Sequence, residues 1–262
     1  MRRVLPALVV TLAAVACGAP PARAAGEPAQ AADRRECVVL LHGVGMGAWV
    51  MQPLADALED AGYRTLNLSY PSRRLPIEQI AGEWLPAQLH AGGVEAAPRL
   101  HFVVHSMGSL VTRLHLRDRR PANLGRVVML GPPNHGSAAA DRSSRNALLR
   151  ALMGVNLPRL GTGGDAIARQ LGPADFEVGV IAGKSALNPL FRGDLGSEHD
   201  GAVTVESARL EGMRDFIVLP HSHTVMLWRS AVHAQVIAFL REGRFVHPDG
   251  ASSPAASPVD SR

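Results

Sequence analysis

Short apolar runs alternate along the chain with longer segments in which apolar residues recur every three or four positions. The runs have the length and composition of buried strands, and the spacing of the longer segments is that of helices. The predicted strands are residues 37–41, 63–68, 100–104, 126–130, 178–182 and 216–219. This alternation predicts an α/β fold: a parallel sheet of about six strands with helices on both faces. The loops that follow such strands collect along one edge of the sheet, where sites form.

Three of the predicted helices have informative patterns. The first, stopped by Gly62, has one apolar face made of Leu54, Ala57, Leu58 and Ala61. The second spans residues 77–89 and contains Pro86, which predicts a bend or an interruption. The last has an amphipathic stripe made of Val225, Trp228, Val232, Val236 and Phe239.

Residues 138–173 interrupt the alternation of strands and helices. They contain a short apolar helix at 147–153, a glycine-rich link at 161–164 and a further helical patch that ends at Leu171. An insertion after a sheet strand is a natural place for a small helical cap over an active site. Its apolar side chains are expected either to line an acyl pocket or to join the core: Leu148, Leu149, Leu152 and Met153.

The first residues have the layout of a secretory signal peptide. Two arginines precede an apolar run at 4–16 that is too short to span a bilayer, and Ala22-Arg23-Ala24 offers a cleavage site. We therefore expect a signal peptide at 1–24 and an exported protein, periplasmic or secreted. Cys17-Gly18 also resembles part of a lipobox, so lipid anchoring through Cys17 is a second possibility.

The remaining chain divides into an alanine-rich flexible leader at 25–35, a folded domain at 36–246 and a tail at 247–262. The tail is rich in proline, serine and alanine, which predicts disorder. Loss of residues 1–24 removes three arginines and no acid, so the formal charge falls from +4 to +1. With scattered arginines and few aromatic residues, no nucleic-acid partner is expected. Membrane association is expected only if Cys17 carries a lipid.

Cysteine and histidine positions argue against a disulfide and a metal centre. Only Cys37 remains after cleavage of the signal peptide, which excludes an intramolecular disulfide and a cysteine cluster. The histidines do not have a recognisable zinc spacing. We expect no metal and no cofactor.

The most informative stretch is LHFVVHSMGSL, residues 100–110. A buried strand reverses at His105-Ser106-Met107-Gly108, and a helical stripe begins at Leu110. Such a turn exposes the serine at the sheet edge, and the free N–H groups of the following helix can stabilise a developing negative charge. Ser106 is therefore the candidate nucleophile.

A serine hydroxyl needs a base, and the base needs a third group to orient it. Both types of side chain follow later strands. The candidate bases after the last strand are His221 and His223. The candidate acids are Asp194, Glu198, Asp200 and Glu206.

Together these motifs resemble the α/β-hydrolase superfamily, close to its compact bacterial lipase and esterase-like members. The resemblance covers residues 37–246 and rests on LLHGVG, VHSMGS, GPPNHGS, HDGAVTVESA and SHT. One departure is Val104, which stands where the family has a small residue, usually glycine. We expect a slight local shift there.

The resemblance also implies a role for each matching residue. Ser106 would attack the carbonyl carbon, His223 would act as base and then as acid, and Asp200 would orient the imidazole. The backbone N–H groups of Val44 and Met107 would form the oxyanion hole. The order serine, acid, histidine is the one found in this superfamily.

The expected function is hydrolysis of small-molecule or lipid carboxylic esters through an acyl-enzyme intermediate, as in esterases and lipases. An amidase or thioesterase with the same triad is an alternative. A catalytically silent scaffold that binds an envelope component is another.

Overall fold

The computed structural model describes residues 34–185 and 198–247 of the 262-residue chain. Several predictions fall on residues outside these ranges. They concern the signal peptide, Cys17, nearly all of the leader, Asp194 as a candidate acid, and the tail beyond His247. No helix in the described ranges is long and apolar enough to cross a membrane.

Six strands form one sheet in which every pairing is parallel. Its order is β2-β1-β3-β4-β5-β6. The strands are β1 (Cys37–Leu41), β2 (Arg64–Leu68), β3 (Leu100–His105), β4 (Leu124–Leu130), β5 (Val178–Gly183) and β6 (Asp215–Leu219). The predicted fold class is confirmed, and each predicted strand lies within two residues of an observed one.

Helices cover both faces of this sheet. They are α1 (Gln52–Asp60), α2 (Ile77–Gln79), α3 (Leu85–Ala91), α4 (Met107–Asp118), α5 (Ala138–Arg145), α6 (Ala147–Met153), α7 (Val205–Ala208) and α8 (Ser230–Glu242). Val38 and Leu40 of β1 pack with α1 and α8, whereas Val39 and Leu41 pack on the opposite face with α3 and α4. Alternate side chains of one strand therefore feed two separate cores.

The structure corrects part of the predicted helical patterns. In α1 the buried residues are Leu54, Ala55 and Leu58 rather than Ala57 and Ala61. Between α2 and α3 the backbone makes a π-helical turn, Ile80–Trp84, which ends two residues before Pro86. Because proline has no N–H to donate, the irregular turn lets the chain continue as a helix through it.

The predicted stripe of the last helix is wrong in its first part. Residues Val225–Trp228 form a separate 3-10 turn, and the chain is extended at Arg229 before α8 begins. Trp228 is therefore 45% exposed, while its neighbours Met226 and Leu227 are buried. The break changes which residues of the turn are buried: Met226 and Leu227, rather than Val225 and Trp228, join Val232, Val236 and Phe239 in one core.

The insertion after β4 consists of short helical pieces. Ser137 and Asn146 cap α5 and α6 with their side-chain oxygens, and 3-10 turns follow at Leu157–Leu160 and Ile167–Gln170. The helix predicted at 147–153 is present with the predicted bounds.

Candidate active site

Ser106 occupies the sharp turn between β3 and α4. Its φ of 52° and ψ of −120° make it the one non-glycine residue with positive φ in the described part of the chain. Holding an L-residue there costs about 1–3 kcal/mol and persists only where the surrounding structure enforces it. The backbone N–H of Ser106 donates to the Leu130 carbonyl at 3.0 Å, which ties the turn to the end of β4.

Two glycines make room for this turn. A Cβ on Gly108 would lie 2.7 Å from the Leu41 carbonyl oxygen, and one on Gly43 would lie 2.9 Å from His105 Nδ1. Backbone and ring therefore pack too closely for any side chain at either position. Val104, by contrast, is accommodated in the core, in regular register with Leu41 and Met129. The irregularity of β3 lies between Leu100 and Phe102 instead.

Asp200 and His223 lie in direct contact. His223 Nδ1 is 2.7 Å from Asp200 Oδ2, and the carboxylate is almost completely buried. Its other oxygen accepts from the N–H groups of Ala202 and Val203 at 2.9 and 2.8 Å. The backbone N–H of His223 also donates to the Asp200 carbonyl. This carboxylate therefore fixes the imidazole with its proton on Nδ1, leaving Nε2 free to accept a proton.

The other candidates for acid and base lie elsewhere. Glu198 is exposed and 3.8 Å from Lys184, and Glu206 is exposed on α7. In the described ranges no hydrogen bond or ion pair joins His221 to the Asp200 carboxylate. Burial and the nearby Arg229 lower the pKa of His221. Of the two histidines after β6, the structure therefore brings His223 alone to Asp200.

Ser106, His223 and Val44 line one cavity of about 200 Å³. Among the described residues no hydrogen bond joins Ser106 Oγ to His223, a contact that is often long before substrate binds. Met107 is the first residue of α4, so its N–H has no partner within the helix. Neither this N–H nor that of Val44 donates to another protein group in the described chain. Both amides are thus available to an oxyanion.

One wall of the cavity comes from the insertion and from Ser137, the residue just before it. The insertion residues there are Ala139, Ala140, Ser143, Met153, Leu157 and Leu160. Of the four side chains predicted for an acyl pocket or core, Met153 reaches the cavity. The prediction is wrong for Leu148, Leu149 and Leu152, which are exposed. The reason is that α6 buries none of its residues and turns its leucines toward solvent.

Two buried histidines, His42 and His105, make specific contacts close to the nucleophile. His42 stacks on Tyr70, its Nδ1 donates to the Gly43 carbonyl and its Nε2 accepts from the Tyr70 N–H. His105 Nε2 donates to the His223 carbonyl at 3.0 Å, while its Nδ1 is buried without a partner. Burial, with the nearby His223 as a second cause, holds the His105 pKa well below its usual value.

The sequence interpretation missed a polar anchor beneath the GPPNHGS loop. Arg113 of α4 is buried and donates to the Asn134 side chain and to the Gly172 carbonyl. Asn134 in turn donates to the Ala208 carbonyl at 2.9 Å. Desolvation lowers the pKa of Arg113 to about 10. A lone arginine in a helical stripe carries no sequence signal for this role, since its partners are distant in the chain.

A second link joins the insertion to the loop that carries Asp200. Ser137 Oγ donates to the Ala202 carbonyl at 2.6 Å and also accepts from the Ala140 N–H. The start of α5 is therefore fixed to the residues that hold the carboxylate. In the described ranges no group of three or more His, Cys, Asp or Glu side chains is arranged to hold a metal ion.

Comparison with solved structures identifies the fold. A lipase of Bacillus licheniformis, BlEst2 in its mature form, superposes with a TM-score of 0.66 over 84% of this chain and 97% of its own, at 19% identity. Lipase B of Aspergillus fumigatus gives 0.60 over 86% of this chain and 57% of its own, at 15% identity. A thermophilic esterase from Thermogutta terrifontis gives 0.52 over 79% and 90%, at 16% identity.

No protein-family model and no curated protein sequence matches the chain. The sheet order, the turn at Ser106 and these superpositions define an α/β-hydrolase fold. The resemblance drawn from the sequence motifs is thereby confirmed at the level of the fold.

Proposed function

We propose that this protein hydrolyses carboxylic esters with Ser106 as nucleophile, His223 as base and Asp200 as the orienting acid. The observation that carries the proposal is the 2.7 Å contact between His223 and Asp200, because His223 lines the same cavity as the strained Ser106. The lipase and esterase names of the structural neighbours agree with it.

In the first step Ser106 Oγ attacks the carbonyl carbon, and its proton passes to His223 Nε2. The carbonyl oxygen gains the negative charge and accepts hydrogen bonds from the N–H groups of Val44 and Met107. Collapse of this intermediate breaks the ester C–O bond, and His223 returns the proton to the leaving alcohol. Water then repeats the sequence on the acyl-serine, releasing the acid and the free serine.

The Asp200 carboxylate contributes by stabilising the imidazolium that forms twice in this cycle. Its two oxygens are already occupied, one by the imidazole and one by two backbone N–H groups. The ring is therefore held in one tautomer before substrate arrives, so little reorganisation is needed in the transition state.

The cavity volume sets an expectation for the acyl group. Pockets for drug-sized ligands are about 300–1,000 Å³, and this one is about 200 Å³. We therefore expect faster turnover of short-chain esters than of long-chain ones.

The test is hydrolysis of a chain-length series of nitrophenyl esters by the purified protein and by Ser106→Ala. Loss of turnover together with loss of fluorophosphonate labelling in Ser106→Ala supports the proposal. Equal rates for the two proteins contradict it. An unmodified protein that neither turns over any ester nor takes up the probe would instead favour the silent scaffold.

A further inference from the structure

Four of the exposed large apolar side chains lie together on the insertion. Leu148 is 75% exposed, Leu152 is 56% exposed, and Leu149 and Val155 are also exposed. Elsewhere in the described chain the large apolar residues with comparable exposure, Trp49, Trp228 and Val246, are distant in sequence from this group. Single exposed apolar residues need no explanation, whereas a contiguous group marks a contact surface.

The backbone of this exposed segment is fixed to a neighbouring loop. Asn156, just beyond α6, is buried and donates to the carbonyls of Ser72 and Leu75. The Val155 N–H donates to the Arg73 carbonyl at 3.1 Å, and Gly154 lies so close to Arg73 that a Cβ would meet its oxygen at 2.1 Å. The segment is thus anchored through its backbone while its apolar side chains face outward.

Three arginines lie in or beside this segment. Arg145 precedes α6, Arg150 lies within it between Leu149 and Leu152, and Arg73 reaches the Leu152 carbonyl from the neighbouring loop. All three are exposed, and within the described residues none pairs with a carboxylate. The acids closest in sequence are already engaged, Asp141 with Thr162 and Glu78 with Arg159. The surface formed by Leu148, Leu152, Val155, Arg73, Arg145 and Arg150 is called the arginine–leucine patch below.

From this combination we infer that the arginine–leucine patch docks the protein on an anionic lipid surface. Guanidinium groups match the phosphates of lipid headgroups, and apolar side chains between them can enter the boundary with the acyl chains. Each basic residue at such a surface adds attraction that salt screens. A stable protein interface buries roughly 800 Å² per partner, and the few side chains of this patch form a smaller area. This comparison favours lipid over a protein partner.

The position of the patch relates it to the cavity. Met153 lies between Leu152 and Gly154, and its side chain lines the cavity that contains Ser106. A lipid ester at the docked surface would therefore have a short path to the nucleophile. This last step rests on the proposed function, whereas docking itself does not.

The experiment measures binding of the full chain to vesicles by sedimentation, in a Ser106→Ala background so that lipid stays intact. Vesicles contain either phosphatidylcholine alone or equal parts of phosphatidylglycerol and phosphatidylcholine. We expect binding to the anionic vesicles, reduced by added salt. Arg145→Gln with Arg150→Gln should lower the partition coefficient about twenty- to fortyfold, and Leu148→Gln with Leu152→Gln by about tenfold or more.

Two controls separate the patch from general effects. Arg119→Gln with Arg244→Gln changes net charge equally at exposed arginines outside the patch, and should leave binding within about twofold. Glutamine has a helix propensity close to that of leucine, so α6 should persist. All variants carry the same residues 1–33, so any contribution of that segment is common to them.

Three results would overturn the inference: no binding to anionic vesicles, equal binding to both vesicle types, or equal losses in the patch and control variants. Self-association that disappears in Leu148→Gln with Leu152→Gln would assign the surface to a second copy of the chain. Turnover of a soluble nitrophenyl ester, measured with Ser106 restored, reports separately on the proposed function. Vesicle binding without turnover would refute the hydrolase and leave the docking surface standing.

Discussion

His105 Nε2 donates a hydrogen bond to the backbone carbonyl of His223 across 3.0 Å, and the two rings lie 4.6 Å apart. The residue before the nucleophile thus holds the residue that supplies the base. Because His105 is also buried and kept neutral, it fixes the His223 loop without competing for the proton.

This relationship predicts a positioning role that can be separated from bulk packing. In His105→Gln the side-chain amide can still reach the carbonyl, whereas His105→Leu leaves the carbonyl without its donor. We expect kcat about tenfold lower in His105→Leu, with KM within about twofold and substantial recovery in His105→Gln, since small misplacements of a catalytic group are costly. The pH profile of kcat should shift in His105→Leu alone.

Equal losses in the leucine and glutamine variants would show that His105 only fills space. Thermal unfolding of both variants, measured alongside, identifies any loss that comes from instability rather than from position.

The contact with Asp200 predicts unequal roles for the two histidines after β6. We expect His223→Ala to lower kcat by about 10⁶-fold, because the serine then has no base. His221→Ala should retain kcat within about threefold, since in the described ranges no hydrogen bond or ion pair joins His221 to the Asp200 carboxylate. The two variants are measured side by side on one nitrophenyl ester; a larger loss in His221→Ala would reverse the assignment.

Two glycine substitutions should have different effects on stability. A Cβ on Gly108 would lie 2.7 Å from the Leu41 oxygen, so Gly108→Ala should destabilise by about 1–3 kcal/mol and distort the turn at Ser106. Gly82 is helical and has open space around its Cβ position. Gly82→Ala should therefore leave stability unchanged or raise it by up to about 1 kcal/mol. Denaturant unfolding of both variants provides the measurement.

The buried histidines predict a loss of stability in mild acid. The pKa values of His42 and His105 are lowered by burial, so the unfolded chain binds protons near pH 6.5 that the folded protein does not. Their contribution is complete above that pH and declines as the pH falls toward the folded pKa values, by about 1.4 kcal/mol per pH unit for each proton.

Denaturant unfolding between pH 7.5 and 5.5 measures this slope above the range where most carboxylates titrate. The slope should be smaller in His105→Gln than in the unmodified protein. A slope unchanged by this substitution would exclude His105 as its source.

The exported location, cleavage after Ala24 and lipid attachment at Cys17 stay predictions, since residues 1–33 lie outside the described ranges. Mass spectrometry of the mature N-terminus distinguishes cleavage from lipidation.

Much of the architecture follows from local patterns in the sequence. Parallel strands buried on both faces read as apolar runs, and the turn at Ser106 is visible because Gly108 and a strand-to-helix switch surround it. These features depend on residues that are neighbours in the chain, so the local sequence is enough to predict them. The amphipathic stripe predicted for the last helix failed in its first part because the chain is extended at Arg229, a break that the apolar spacing does not reveal.

Relationships between distant residues were decided by the tertiary structure. The sequence left His221 and His223 as rivals, and the path of the loop after β6 brings His223 to Asp200. The sequence also allowed the leucines of α6 either to line an acyl pocket or to join the core. The anchors at Asn156 and Gly154 instead hold these leucines in solvent. Apolar character predicts that a side chain gains from burial, but only the packing of remote segments determines whether a partner is there to bury it.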